Sequence, residues 1–116
     1  YKNNPTDTYA ALYYAELIGS EKPDDAAAIF REVLKREPNN LFANVNYAQY
    51  LITRGNEKIT AANEAKAPSD NQRLLREANA IFTEALPLLE RAHEAAPKNF
   101  DVLDALWKIA VKLNDE

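Results

Sequence analysis

Two apolar stripes, separated by a short polar turn, constrain the fold of this chain more than any other feature. Within residues 41–96, apolar or small side chains recur at alternating intervals of three and four positions on both sides of the turn. This spacing places each set on one narrow face of an α-helix. The first stripe comprises Val45, Ala48, Ile52, Gly55, Ile59 and Ala62, and the second comprises Leu74, Ala78, Ile81, Ala85, Leu88 and Ala92. The pattern predicts two helices of about 26 residues each, about 39 Å long, folded back on each other at residues 67–70.

The composition favours an all-α protein in one domain. The 116 residues include two Gly, no Cys and no Met, and such usage is typical of helices joined by short connections. A chain of this length corresponds to a single domain or to a piece cut from a longer array. Thr6 or Asp7 is expected to cap the first helix. Apolar periodicity and the breaks at Pro and Gly predict five helices, at about residues 7–18, 24–37, 41–66, 70–96 and 100–114.

Four residues of the long hairpin bear on its shape. Ser69 and Gln72 have the spacing of a capping box, which predicts that the descending helix starts beside them. Gly55 lies inside the ascending helix, where it is about 1 kcal/mol less favourable than Ala. Pro87 lies inside the descending helix, removes one backbone hydrogen bond and is expected to bend it. If the ascending helix ends at Gly55, the segment above it is a separate small hairpin, and the sequence leaves this alternative open.

An internal repeat relates the N-terminal part of the chain to the hairpin. A shift of about 33 residues aligns Pro5 with Pro38 and Tyr14-Ala15 with Tyr47-Ala48, as expected for a repeated helix pair. The joint spacing resembles the tetratricopeptide repeat. Its positions are occupied by Tyr14, Ala15, Ile18, Ala26, Phe30, Val33 and Pro38 in the first unit, and by Tyr47, Ala48, Leu51, Gly55, Ala85, Leu89, Ala92 and Pro97 in the second.

The resemblance implies a single α-solenoid domain over residues 1–116. Repeat 1 covers about residues 6–38, an elongated repeat 2 covers about 39–97, and a capping helix covers 98–116. Repeat 2 exceeds an ordinary repeat by about 25 residues. Similar elongated repeats occur in bacterial cell-envelope proteins, so the resemblance points to the bacterial periplasm or cell envelope, and otherwise to the cytoplasm.

The last predicted helix resembles only the first half of a repeat. Trp107 stands there at the position that Ala15 and Ala48 occupy in the earlier units. We expect a terminal cap in which the Trp107 ring covers apolar surface, as the ends of solenoids require. The substitution Trp107→Ala would then cost about 3 to 5 kcal/mol.

No residue pattern in the sequence indicates catalysis. His93 is the single histidine and lacks convergent partners, which favours a half-buried structural role. No Gly-rich phosphate loop, nucleophile with a nearby base or metal-ligand spacing is present. Carboxylate pairs near helix ends are explained by capping; they are Asp24-Asp25, Asp101/Asp104 and Asp115-Glu116. We therefore expect no enzyme, no cofactor and no metal site.

The charge distribution argues against two classes of binding partner. A formal net charge of −4 with both signs mixed along the chain provides no basic surface for nucleic acid or for an anionic membrane. No apolar run approaches the roughly 20 residues that span a bilayer. The remaining expectation is a protein or peptide partner, with neither nucleic-acid binding nor membrane insertion.

The resemblance also implies a binding groove lined by the first helices of the repeats. Tyr9, Phe42, Asn46, Gln49 and Thr53 are expected to project into it. Aromatic rings and amides suit an extended peptide or a partner helix, and ordinary surface is the alternative. Members that grip the acidic C-termini of chaperones use Lys, Arg and Asn, but the corresponding positions here are Leu12, Glu16, Asn46, Asp101 and Ala105. Chaperone tails are therefore not expected to bind.

Two functions follow as hypotheses. The first is a scaffold or adaptor that binds a peptide or partner protein through the groove or the long hairpin. The second is a structural element in which the coiled-coil-like hairpin mediates homo-oligomerisation or packs on a neighbouring domain. Ile59 and Leu75 discriminate between them, because either side chain, if exposed, would create a contact surface on the hairpin.

Overall fold

The chain forms five α-helices and no strand within residues 8–114, the part that this computed structural model describes. They are α1 Thr8–Ile18, α2 Pro23–Arg36, α3 Leu41–Glu64, α4 Pro68–Ala95 and α5 Phe100–Asn114. The predicted all-α class and the five helices are confirmed, and each described bound lies within two residues of its predicted position. The proposed caps Thr6 and Asp7 lie outside the described residues.

Each helix packs chiefly on the helices that precede and follow it in the chain. Because the connections are only three or four residues long, consecutive helices run antiparallel. The molecule is elongated, with dimensions of 48 × 31 × 20 Å. The long pair α3 and α4 therefore lies between α2 on one side and α5 on the other.

Small side chains allow α1 and α2 to approach closely. α1 buries Ala11 and Ala15, and α2 buries Ala26 and Ala27 in the same core. α2 starts with Pro23 at its first helical position, where the missing N–H is not needed. Its first turn carries two aspartates and its last turn two basic residues, which complements the helix dipole at both ends.

The predicted hairpin stripes are buried or half-buried along their whole length. α3 has 24 residues and α4 has 28, close to the expected lengths. The buried surface is wider than the stripes, however, because the bases of these helices also contact α2 and α5. The additional buried side chains are Ala43, Asn44, Tyr47 and Leu51 in α3 and Phe82 and Leu89 in α4.

α3 continues through Gly55, so the alternative of a separate small hairpin is wrong. A Cβ atom at Gly55 would lie only 2.5 Å from Cε1 and 2.6 Å from Cζ of Phe82. The ring of Phe82 is fully buried at this point. The glycine thus permits the close packing of α3 on α4, which offsets its poor helix propensity. α4 likewise continues through Pro87.

Asparagine side chains begin the helices that follow each Pro-containing loop. Asn40 accepts a hydrogen bond from the backbone N–H of Ala43 at 2.9 Å, and Asn99 accepts one from Val102 at 3.2 Å. Each satisfies a backbone donor that the first helical turn leaves unpaired. The loops that contain Pro38 and Pro97 therefore share one capping chemistry.

The predicted capping box at Ser69 is wrong. α4 begins earlier, at Pro68, and its N-cap Ala67 provides no side-chain hydrogen bond. Proline at the first helical position needs no N–H partner and has its φ angle already set for a helix. The turn is held instead by Asn71, whose side-chain amide donates to the carbonyl of Ala62 at the end of α3, at 2.7 Å.

α5 closes the molecule by packing Val102 and Ile109 into the core, but Trp107 points away from it. The Trp107 side chain is 66% exposed, so the prediction that its ring covers apolar surface is wrong. The ring lies about 100° around the helix from its partly buried neighbour Leu106. The sequence correctly predicted that Trp107 belongs to a helix, but it did not predict which way the side chain faces.

Trp107→Ala is accordingly expected to lower the free energy of unfolding by less than about 1 kcal/mol, since solvent already reaches most of the ring. Urea denaturation followed by circular dichroism measures this. A loss of about 3 kcal/mol or more would mean that the ring is buried in solution.

Candidate functional site

A groove runs between the parallel helices α1 and α3, and all five predicted binding residues lie along it. The C-terminal end of α1 borders a hollow of about 340 Å³, and the N-terminal end borders one of about 300 Å³. Asn46, Gln49 and Thr53 line the larger hollow, and Tyr9 and Phe42 line the smaller one. The structure thus places these residues along one groove, three of them at one end and two at the other.

The α1–α3 groove combines exposed aromatic rings with polar side chains, two of which make no hydrogen bond to another described residue. The Tyr9 side chain is 88% exposed and that of Phe42 is 40% exposed. Gln49 and Thr53 are exposed and make no side-chain hydrogen bond to another described residue. Asn46 already donates to the carbonyl of Phe42 at 2.8 Å. The groove therefore offers hydrogen-bonding groups at one end and apolar area at the other.

Carboxylates give the trough a negative character. Glu16 lines the larger hollow and Glu37 the smaller. A hydrogen bond from the Thr8 hydroxyl, with a second from Asn40, lowers the pKa of the Glu37 carboxyl. Glu37 therefore stays ionised, and the groove favours a ligand with a basic or neutral side chain there.

One wall of the larger hollow is held in place by a polar cluster. Tyr50, which lines the hollow, donates from its hydroxyl to Asp24 of α2 at 2.6 Å, and Arg54 donates to the same carboxyl at 2.7 Å. The guanidinium of Arg54 also lies 5.3 Å from the centre of the Tyr50 ring. These two hydrogen bonds lower the pKa of Asp24, and the bond from Tyr50 has the larger effect. The orientation of Tyr50 is thus determined by α2 as well as by its own helix.

Tyr47 joins three helices behind the groove. Its hydroxyl accepts a hydrogen bond from Arg31 of α2 at 3.3 Å and donates to Glu84 of α4 at 3.0 Å. Burial raises the pKa of this hydroxyl, which therefore stays protonated and able to donate. Its ring stacks on that of Tyr50, with centroids 6.1 Å apart. Through Tyr47 and Tyr50, these contacts connect α4 of the hairpin to the wall of the larger hollow.

Sequence reasoning missed a second surface, which lies along α5. Phe100, Leu103, Trp107 and Val111 are all exposed there by 40% or more. Their spacing of three and four positions is the signal by which a helix face is recognised. Because the same spacing also predicts core, the sequence does not indicate that this face is uncovered.

His93 lies beside this second surface. Its side chain is partly buried, and its Nδ1 atom is buried without a hydrogen-bond partner among the described residues. It lines a hollow between α4 and α5 with Glu90 and Glu94. The placement agrees with the half-buried position expected for this histidine.

Two negative findings apply to the residues that the structure describes. In residues 8–114, no group of three or more His, Asp or Glu side chains is arranged to hold a metal ion. Over the same residues, no helix combines the length and the apolar character that crossing a bilayer requires.

Comparison with family models, with curated proteins and with solved structures finds no match to this chain. The tetratricopeptide resemblance therefore remains a hypothesis based on residue spacing.

Proposed function

We propose that this chain is a helical protein-interaction scaffold that binds an extended peptide segment of a partner protein in the groove between α1 and α3. The observation that carries the proposal is the position of Tyr9, Phe42, Gln49 and Thr53 along the α1–α3 groove, two at each end, although they come from two helices. Exposed rings and unoccupied side-chain donors and acceptors together suit a peptide, which presents apolar side chains and unpaired backbone groups.

The polarity of the trough defines the preferred peptide. Gln49 and Thr53 would bind backbone amides at one end, and Tyr9 and Phe42 would contact an apolar side chain at the other. Glu16 and Glu37 favour a basic residue within the bound segment and disfavour a terminal carboxylate. Acidic chaperone tails therefore stay outside the proposed ligand class.

A relationship to tetratricopeptide proteins is part of this proposal. It is supported by the residue spacing and by the shared Asn caps after Pro38 and Pro97. In such proteins the inner helices of successive units present the binding groove, which agrees with a ligand between α1 and α3.

Filling the groove is expected to weaken peptide binding. Random peptides of about 12 residues, about 40 Å when extended, would be selected on phage against the chain and measured by fluorescence anisotropy. The double variant Gln49→Arg/Thr53→Arg should weaken the selected peptides at least about tenfold, because two long cationic side chains occupy the larger hollow.

The control is Ala80→Arg, which adds an equally large cation on an exposed position of α4. Its binding should match that of the unmodified chain. Equal binding by the groove variant, or equal loss in the control, would refute a ligand between α1 and α3.

The alternative of self-assembly through the hairpin is less well supported. Among described residues 56–80, the one large apolar side chain that is exposed is Leu75, at 38%, and Ile59 is partly buried. Ion pairs border this region, with Lys58 at 2.8 Å and Arg73 at 2.9 Å from Glu77. A single half-exposed leucine is far short of the roughly 800 Å² per partner that a stable interface buries.

Light scattering over a hundredfold range of concentration is therefore expected to show no association through the hairpin, since the hairpin offers so little exposed apolar area. A dimer that dissociates on Leu75→Lys or Ile59→Lys would contradict this and make the hairpin an assembly element.

A further inference from the structure

α5 carries more apolar surface than its packing on α4 requires. Val102, Leu106, Ile109 and Leu113 form one stripe, which is buried or partly buried against the core. A second stripe adjoins it and consists of Phe100, Leu103, Trp107 and Val111, with the first 82% and the third 66% exposed. A helix with one neighbour needs only one stripe. The second stripe is therefore suited to a further helix.

The exposed stripe forms a ridge between two hollows. Leu103 and Trp107 line both hollows, one of about 460 Å³ between α4 and α5 and one of about 650 Å³ beside α5. Leu86, Leu106 and Ala110 contribute the apolar part of the first hollow. A ridge flanked by two troughs is the surface that a packing helix requires, since its side chains enter the troughs on both sides.

The charged side chains that line the two hollows all have the same sign. The charged residues lining the two hollows are Glu90, Glu94, Asp101 and Asp104, without a Lys or Arg. Only Asp104 forms an ion pair, with Lys108 at 2.9 Å. The other three carboxylates have no ion-pair partner among the described residues, so the surface is apolar at its centre and acidic at its rim.

We propose that this surface docks an amphipathic helix of a partner protein, with an apolar stripe over Leu103 and Trp107 and Lys or Arg residues on its flanks. Charge complementarity selects this occupant. A second copy of the chain would offer the exposed face of α1, with Tyr9, Tyr13 and Leu17, but the one charged residue in α1 is Glu16. That face would bring a like charge to the acidic rim.

Trp107 provides the measurement, because it is the only tryptophan in the protein. Its emission would be recorded during titration with a synthetic helix of about 18 residues, about five turns, built from Leu on one face and Lys on the other. A matched peptide with Glu in place of Lys is the comparison. We expect the Leu/Lys peptide to shift the emission to shorter wavelength as the ring becomes buried, and the Leu/Glu peptide to leave it unchanged.

Neutralising the rim is expected to weaken the Leu/Lys peptide about tenfold, because each of three exposed ion pairs contributes about a factor of two. The variant is Glu90→Gln/Glu94→Gln/Asp101→Asn, which leaves the Trp107 reporter in place. The control variant Glu21→Gln/Glu32→Gln/Glu64→Gln removes the same charge from exposed positions elsewhere and should bind within about twofold of the unmodified chain.

Four results would overturn the proposal. The first is no spectral shift at a Leu/Lys peptide concentration of about 1 mM, which corresponds to negligible affinity. The second is equal binding of both peptides, and the third is equal loss in both triple variants. The fourth is Trp107 emission that is already that of a buried ring without peptide. If that emission depends on protein concentration, a second copy covers the surface, and if it does not, a segment of the same chain does.

Discussion

Gly55→Ala is expected to lower the free energy of unfolding by about 2 kcal/mol, although alanine is the better helix former by about 1 kcal/mol. The added Cβ would lie 2.5 Å from the ring of Phe82, well inside van der Waals contact. The ring is fully buried and cannot move into solvent. Either the ring leaves its rotamer or the two long helices separate, and both changes cost packing energy.

The decisive measurement is a comparison of urea unfolding for three variants. Asn56→Val, at the next and exposed position of α3, should change stability by less than about 0.5 kcal/mol. Adding Phe82→Leu to Gly55→Ala should recover part of the loss, because the smaller side chain makes room for the Cβ. If Gly55→Ala proves stabilising, the helices are not in close contact at this point.

Asn44→Ala is expected to cost about 2 to 3 kcal/mol, since it removes a buried hydrogen-bonding group. The side chain of Asn44 is completely buried in α3. Its amide donates to the carbonyls of Pro38 and Asn40, both at 3.0 Å, and its oxygen accepts from Nε of Arg91 at 3.4 Å. The residue therefore joins the α2–α3 loop, α3 and α4, and its loss leaves the Pro38 carbonyl and the guanidinium without this partner.

Two further variants separate hydrogen bonding from packing at this position. Asn44→Leu restores the side-chain volume without the amide and should lose about as much stability as Asn44→Ala. Asn46→Ala, two positions along the same helix, should change stability by less than about 0.5 kcal/mol. Its amide makes one local hydrogen bond, to the carbonyl of Phe42, near the surface. A stable Asn44→Leu variant would show that the buried hydrogen bonds contribute nothing net.

The candidate groove was expected from the tetratricopeptide resemblance, which aligns α1 with α3 at a shift of about 33 residues. Once α1 and α3 are helices of equivalent type, Tyr9 and Phe42 fall on corresponding faces, as do Glu16 and Gln49. The division of the groove into two hollows was not predictable. The larger hollow is lined by Tyr50, whose hydroxyl is bonded to a carboxylate of α2 that lies 26 residues away in sequence.

The second surface shows the limit of periodicity. Val102 and Trp107 both belong to apolar stripes of α5, and one is buried while the other is exposed. Apolar spacing shows that one face of a helix is apolar. Whether that face is buried depends on whether another helix covers it. Nothing within the α5 segment itself carries that information.

The sequence alone determined the helical class, the five helices and the pairing of the two long ones, because these depend on local periodicity, on proline and glycine breaks and on asparagine caps. Only the tertiary structure decided which faces are covered and why particular residues are needed. Gly55 is explained by the ring of Phe82, 27 positions later in the chain, and Asn44 by Arg91, 47 positions away. Such requirements arise when distant segments meet at van der Waals distance, and local residue spacing contains no record of that contact.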